Sequence, residues 1–511
     1  MKSDKIIKQL KFVLGLSLVF YVSACFSSNQ SNQNEIVATS VEETTFSVPE
    51  ANVNLAQPLQ ISQEPRDIAI CQKINQTIEQ SEFANARWGI AAISLKDGRL
   101  VCEKEGRKLF NPASVQKILT SVVALEKLGA DFRWQTKILA AEEIKNGEIA
   151  RDLIIYGTGA PDFNDANLEN LVNQLAAKNL KRIKGNIVGD ESFFSGENLG
   201  DGWTWNEIQW YYGAEASAMS INQNQTTVNL SAGKPVASTS FVTLSGAVEP
   251  PSGIEAVGLQ RGLGDNSIHV WGNGKNLDVR VAVQNPALWS AQILKEALER
   301  KGIVVEGAAA SANWKNEKRA NQIEIAQVES QTLGEIVRRM NKDSINVHAE
   351  LILRTLGKRF GEASPDENPK TQKLRGDDAA GASVIKKWLT ENNVATDEIK
   401  IHDGSGLSRL DFVTPEAVGR ALVFAAQSKS ADVFINSLPA AGVDGTLRGR
   451  LGNVRGRING KTGSIMYVNS LAGYAKNSGG ETFAFVILCN NQTRKADSSI
   501  TIDSIATILT E

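Results

Sequence analysis

The chain has 511 residues, 42% of them hydrophobic and 22% charged, an ordinary globular composition with room for roughly two to four domains. A formal net charge of −2 gives no electrostatic footprint for nucleic acid. No zinc-type Cys/His spacing, phosphate loop or dinucleotide fingerprint occurs, so neither a metal nor a nucleotide cofactor is expected.

In chain order, the first feature is a targeting segment. Lys2, Lys5, Lys8 and Lys11 precede an apolar run, Phe12 to Ala24, that is too short to span a bilayer comfortably. It ends in Val22-Ser23-Ala24-Cys25, which resembles the lipobox of bacterial lipoproteins, in which the cysteine becomes the lipidated first residue. Ordinary signal-peptide cleavage near Ala24 is the alternative. Either reading gives residues 1–24 as a signal peptide and an exported bacterial envelope protein on the periplasmic side. Lipidation at Cys25 would add a membrane anchor. Residues 25–66 are rich in Ser, Asn, Gln, Thr and Glu without apolar periodicity, which predicts a flexible tether.

The globular part begins with a predicted helix over 67–82, then a hairpin of strands at 87–94 and 99–103 around Asp97-Gly98. From Ala113 the pattern SVQKILTSVVALEKLG has apolar residues at helical spacing and stops at Gly129, so Ser114 sits in the first turn of a largely buried helix. From about 140 to 320 the texture changes to short strands and Gly/Asn/Ser turns, broken by helices near 167–178 and 287–301. The aromatic stretch at 203–212 reads as the core of that region. Helical patterns return in TLGEIVRRMNK, HAELILRTLG and AAGASVIKKWLTEN, and the chain closes with strands 468–475 and 482–490 and a helix at 498–509. This order predicts one α/β domain (67–137 and 324–511) interrupted by a β-rich insertion (138–323). Cys71 and Cys102 can pair in an oxidising compartment, but spacing alone does not fix connectivity. Cys489, in the apolar run FAFVILCN, reads as a buried small residue.

Three motifs carry chemistry. Ser114-Val-Gln-Lys117 places a hydroxyl and an amine at i and i+3 on one helix face. A neutral Lys117 is able to take the serine proton, provided burial or a second cation lowers its pKa. Alone the motif says little, since composition predicts roughly two chance copies of Ser-x-x-Lys in a chain of this size. Lys461-Thr462-Gly463, with Gly460 before it, offers a charge and a hydroxyl for a carboxylate beside glycines that let a ligand approach a strand edge. A β-turn with an exposed lysine is the bland alternative. Ser344-Ile-Asn346 puts a hydroxyl and a carboxamide on one side of a turn or short helix, although Ser and Asn also commonly cap helices. The three histidines, His269, His348 and His402, sit in no triad context; His348 reads as packed and Ser405 as a turn residue.

In this order the motifs resemble those of the penicillin-recognising serine D,D-peptidases, the superfamily of penicillin-binding proteins and serine β-lactamases. Ser114 and Ser344 lie 230 residues apart, a gap similar to that of the class C low-molecular-mass penicillin-binding proteins, the D-alanyl-D-alanine carboxypeptidase/endopeptidase family. GDESFF (189–194), SAMSINQN (217–224), HDGSGLSR (402–409) and LPAAGVDGTLRGR (438–450) fit that family too. The resemblance implies a transpeptidase/β-lactamase-like fold, a mainly antiparallel sheet covered by helices, with Ser114 as acylated nucleophile and Lys117 as its base. Ser344 would relay a proton, Asn346 orient the substrate amide, and Lys461 and Thr462 hold its carboxylate. Backbone N–H groups of Ser114 and of Ser464, after Gly463, would form the oxyanion hole. Asp190 matches an acidic family position, with a substrate amine or a buried turn as its two readings. Peptidoglycan stem peptides are the implied substrate and β-lactams the implied covalent inhibitors. A β-lactamase, or a non-catalytic wall-binding lipoprotein, is the alternative.

Overall fold

The computed structural model describes residues 46, 48, 51, 53–231, 234–247, 257–272, 277–318, 321–362, 376–395, 398–493 and 497–511. The expected signal segment and Cys25 lie outside the described residues. Labels below number the elements of the main domain; those of the insertion are given by residue range.

The two ends of the chain build one sheet. Strands β1 (Arg87–Ser94) and β2 (Leu100–Lys104) join β3 (Ile458–Ile465), β4 (Val468–Lys476) and β5 (Thr482–Asn490) in the order β3-β4-β5-β1-β2, antiparallel throughout. Side chains alternate between its faces. Trp88, Ile90, Phe483, Phe485 and Ile487 pack with helix α1 (Pro65–Glu79), through Ile70, Ile74 and Ile78, and with the last helix, through Ile502 and Ile505. Ala91, Ile93, Ala484, Val486 and Leu488 join the core that holds α2 (Gln116–Leu128), which follows a single 3-10 turn at Ala113–Val115. With both faces covered, every residue of β5 is buried, which explains its unbroken apolar run.

Around α2 stand α3 (Leu333–Asp343), α4 (Asn346–Phe360), α5 (Asp377–Glu391), α6 (Pro415–Gln427) and α7 (Ala431–Ser437); α8 is Ser499–Ile508. Thr332 and Glu335 form a reciprocal cap that starts α3, and Ser344 ends it in the left-handed region at φ 57°.

The insertion lies between α2 and α3. Its first and last strands, Gln135–Ala140 and Ile323–Glu329, pair with each other from Gln135↔Glu329 to Ala140↔Ile323, so it leaves and re-enters the main domain at one place. The expected limits at 138 and 323 fall inside these strands. A five-stranded mixed sheet, three small three-stranded sheets and helices Asp165–Ala177 and Pro286–Arg300 make up its described part.

Residues 53–64, which composition assigns to the tether, are packed. Val53, Leu55 and Leu59 are buried in the main core, and Gln60 and Ser62 bond to the backbone of Leu100 at the edge of β2. Arg420 Nη1 donates to the Leu55 carbonyl at 2.8 Å. The apolar residues are too irregularly spaced to read as an element, because this segment runs as a strap rather than a helix or strand. Cys71 of α1 and Cys102 of β2 form a disulfide, and Cys489 is buried.

Candidate active site

Two elements present the first pair. The 3-10 turn carries Ser114 half-buried, and the first turn of α2 carries Lys117, fully buried. Lys117 Nζ lies 2.9 Å from Ser114 Oγ, 2.7 Å from Asn346 Oδ1 and 2.8 Å from the Ser405 carbonyl oxygen. Burial pushes the lysine pKa down to about 7, against the pull of Asp403 and Glu350, which favour its charge. A lysine of this kind holds an uncharged fraction at neutral pH and can accept a proton.

Ser344 and Asn346 come from the junction of α3 and α4. The left-handed Ser344 breaks one helix, and Asn346 opens the next. Asn346 Nδ2 donates to the Tyr212 carbonyl of the insertion at 2.8 Å, which fixes the amide so that its oxygen faces Lys117. Lys461 Nζ donates to Ser344 Oγ at 2.9 Å and to the Thr462 carbonyl at 2.8 Å. Lys461 is fully buried in the middle of β3, not exposed on a turn, and burial together with the nearby Lys117 holds its pKa well below the usual lysine range.

The edge strand β3 passes tightly beside the nucleophile. A Cβ on Gly463 would stand 2.9 Å from the Ser114 nitrogen and 3.0 Å from the Pro112 carbonyl, so no side chain fits there. Ser464, next along, is exposed. Thr462 Oγ1 donates to Thr446 Oγ1 at 2.7 Å. That partner loop is tied to α3 by Lys342 and Asp444, 2.7 Å apart. Ser114, Lys117, Ser344, Asn346, Lys461 and Thr462 thus converge from three distant parts of the chain.

Asp190 stands apart. It is fully buried at the end of an insertion strand, where its two oxygens accept the backbone N–H groups of Ser192 (2.8 Å) and Lys318 (3.0 Å). These contacts, with full burial, are those of the turn reading. His348 is fully buried, and burial pushes its pKa down to about 3, so it is a neutral packing residue. The aromatic stretch at 203–212 is not the insertion's core. Trp205 is 69% exposed, Trp203 Nε1 donates to Asp403 Oδ2, and Tyr212 supports Asn346, so the stretch reaches across to the site.

Sequence reasoning missed Ser405, whose carbonyl meets Lys117, and Glu350 and Asp403 behind it. One signal was present: Glu350 and Arg354 stand four apart around the apolar run Leu351-Ile352-Leu353, the mark of a buried pair.

Residues 70–511 match the model of the D-Ala-D-Ala carboxypeptidase 3 (S13) family. The chain belongs to this family. It is a serine D-Ala-D-Ala carboxypeptidase with the fold of the penicillin-binding proteins. Among relatives of this S13 peptidase, the D-alanyl-D-alanine carboxypeptidase DacB of Haemophilus influenzae is 28% identical over 421 residues, 79% of this chain and 85% of the relative. The D-alanyl-D-alanine carboxypeptidase of an Actinomadura species is 28% identical over 475 residues, 86% of this chain and 84% of that one. The crystal structure of penicillin-binding protein 4 (DacB) from H. influenzae superposes with a TM-score of 0.73 at 25% identity, covering 85% of this chain and 97% of that one.

Proposed function

We propose that Ser114 is the nucleophile of this D,D-peptidase and Lys117 its base. The observation that supports it most is the 2.9 Å contact between a half-buried hydroxyl and a fully buried amine whose pKa is pushed down to about 7. Ser114 Oγ attacks the carbonyl of the penultimate D-alanine while Lys117 takes its proton. The C–N bond breaks, and Ser344, held by Lys461, relays the proton taken by Lys117 to the leaving D-alanine nitrogen, which leaves Lys117 neutral again. Water then hydrolyses the ester and frees Ser114. The backbone N–H groups of Ser114 and Ser464 receive the negative charge on the carbonyl oxygen. Lys461 and Thr462 bind the terminal carboxylate, and Asn346 orients the substrate amide. A D,D-cross-link presents the same bond and enters the same chemistry.

β-Lactams imitate that bond and should acylate Ser114. Intact-mass measurement with benzylpenicillin, followed by peptide mapping, tests the assignment. A stable adduct on Ser114, absent from Ser114→Ala, is expected, together with D-alanine release from a D-Ala-D-Ala stem peptide. Labelling that persists in Ser114→Ala overturns it; a transient adduct with drug turnover would show that the same serine also hydrolyses β-lactams.

The basic and apolar start of the chain and the Val-Ser-Ala-Cys sequence support export to the periplasmic side of the envelope and a lipid anchor on Cys25. Membrane and soluble fractions of a Cys25→Ser variant test that part.

A further inference from the structure

Behind Lys117 lies a network of buried carboxylates that the roles above leave unused. Glu350, one turn into α4 from Asn346, is fully buried. Its Oε1 accepts the backbone N–H groups of Gly404 (2.9 Å) and Ser405 (3.0 Å), while Oε2 meets Arg354 Nη1 at 3.0 Å. Asp403 gathers the same loop from within: Oδ1 accepts Gly406 N–H, and Oδ2 accepts Ser408 N–H, Trp203 Nε1–H and the Ser405 hydroxyl. The loop presses on the nucleophile's turn, because a Cβ on Gly406, at φ +79°, would strike the Ala113 carbonyl. Thr120 Oγ1 of α2 donates to the Gly404 carbonyl at 2.7 Å.

The consequence is stereochemical. A neutral amine has two N–H donors and one lone pair. Asn346 Oδ1 and the Ser405 carbonyl are two acceptors on Lys117 Nζ, and Ser114 Oγ is the third neighbour. With both hydrogens so engaged, the lone pair faces the serine.

We propose that Glu350 is a positioning residue for acylation: by clamping the Gly404 and Ser405 N–H groups, it holds the Ser405 carbonyl on Lys117 and so aims the amine's lone pair at Ser114. This deepens the reading of Ser114 and Lys117 given above and rests on it. The charged groups around the network are Asp403 and Glu350 facing Lys117, Lys461 beside it, Arg354 on Glu350, and Asp411 next to Asp403. Further out on the loop are the pairs His402–Asp201 and Arg409–Glu207. Burial, with Asp403 close by, pushes the Glu350 carboxyl up, which Arg354 and the hydrogen bond from Ser405 oppose. The contacts that fix the loop are acceptor contacts, which an uncharged carbonyl oxygen also makes.

Two conservative variants separate geometry from charge. Glu350→Gln keeps the acceptor oxygen and loses the charge; Glu350→Asp keeps the charge and withdraws the acceptor by one methylene. The acylation rate constant and the noncovalent binding constant for benzylpenicillin are measured by stopped flow on the full chain, with the melting temperature recorded alongside. Glu350→Gln leaves Arg354 without its carboxylate and should melt earlier, yet acylate close to the wild-type rate. Glu350→Asp should acylate about 10²-fold more slowly with its noncovalent constant unchanged, the cost of displacing a reacting group by about 1 Å. Wild-type acylation in Glu350→Asp, or an equal loss in Glu350→Gln, overturns the proposal. If the wild-type chain itself is not acylated at Ser114, it is the underlying reading of the site that falls.

Discussion

A lysine works as a base at neutral pH only where its ammonium form is costly. Lys117 meets this condition by complete burial, which outweighs the two carboxylates that favour its charge and leaves the pKa near 7 rather than 10.5. The sign follows directly. As pH falls through about 7, Lys117 takes a proton and loses the lone pair that Ser114 needs, so acylation by a β-lactam should fall along an acid limb there and level off above it. Lys117→Ala should lose about 10²–10⁴-fold in acylation rate, the usual contribution of a positioned base. A stopped-flow pH profile checks both; a limb near 10, where an exposed lysine titrates, would contradict the assignment. The six site residues were legible because each lies in a short motif at fixed spacing. Asp190 was not, because a turn aspartate and a ligand-binding aspartate look the same until the donors around the carboxylate are seen. Ser405 acts through its carbonyl, which no residue identity reveals.

Among the elements, strands and helices that bury a face came through in the sequence: the expected strand at 87–94 matches β1, and the ends of β5 agree at 482 and 490. The strap at 53–64 did not, since its hold on the core uses isolated side chains and bonds to the edge of β2 instead of a repeating pattern. That edge would otherwise present open backbone groups. Val53, Leu55 and Leu59 are 6%, 9% and 7% exposed. Burying each is worth about 1.5–3 kcal/mol as an upper bound. A chain beginning at residue 66 should therefore lose several kcal/mol of stability against one beginning at residue 46, with a lower urea midpoint. Equal midpoints would show that the strap is an ornament.

For the whole molecule, the position of the strap bears on where the site works. With Phe46 already buried in the main core, only residues 26–45 separate the packed chain from Cys25. Covalent geometry limits those 20 residues to at most about 66–72 Å when fully extended. An acyl chain on Cys25 would thus confine the enzyme to a shell next to the membrane, within reach of nearby wall peptide. A single acyl chain holds weakly, whereas the several chains of a bacterial lipoprotein hold against salt. The exported wild-type chain should accordingly stay with membranes at high salt and leave them in detergent. Cys25→Ser should appear in the soluble fraction while its acylation by benzylpenicillin, measured in detergent for both, is unchanged, because Cys25 belongs to none of the three site motifs. Membrane retention of Cys25→Ser at high salt would rule out anchoring through Cys25.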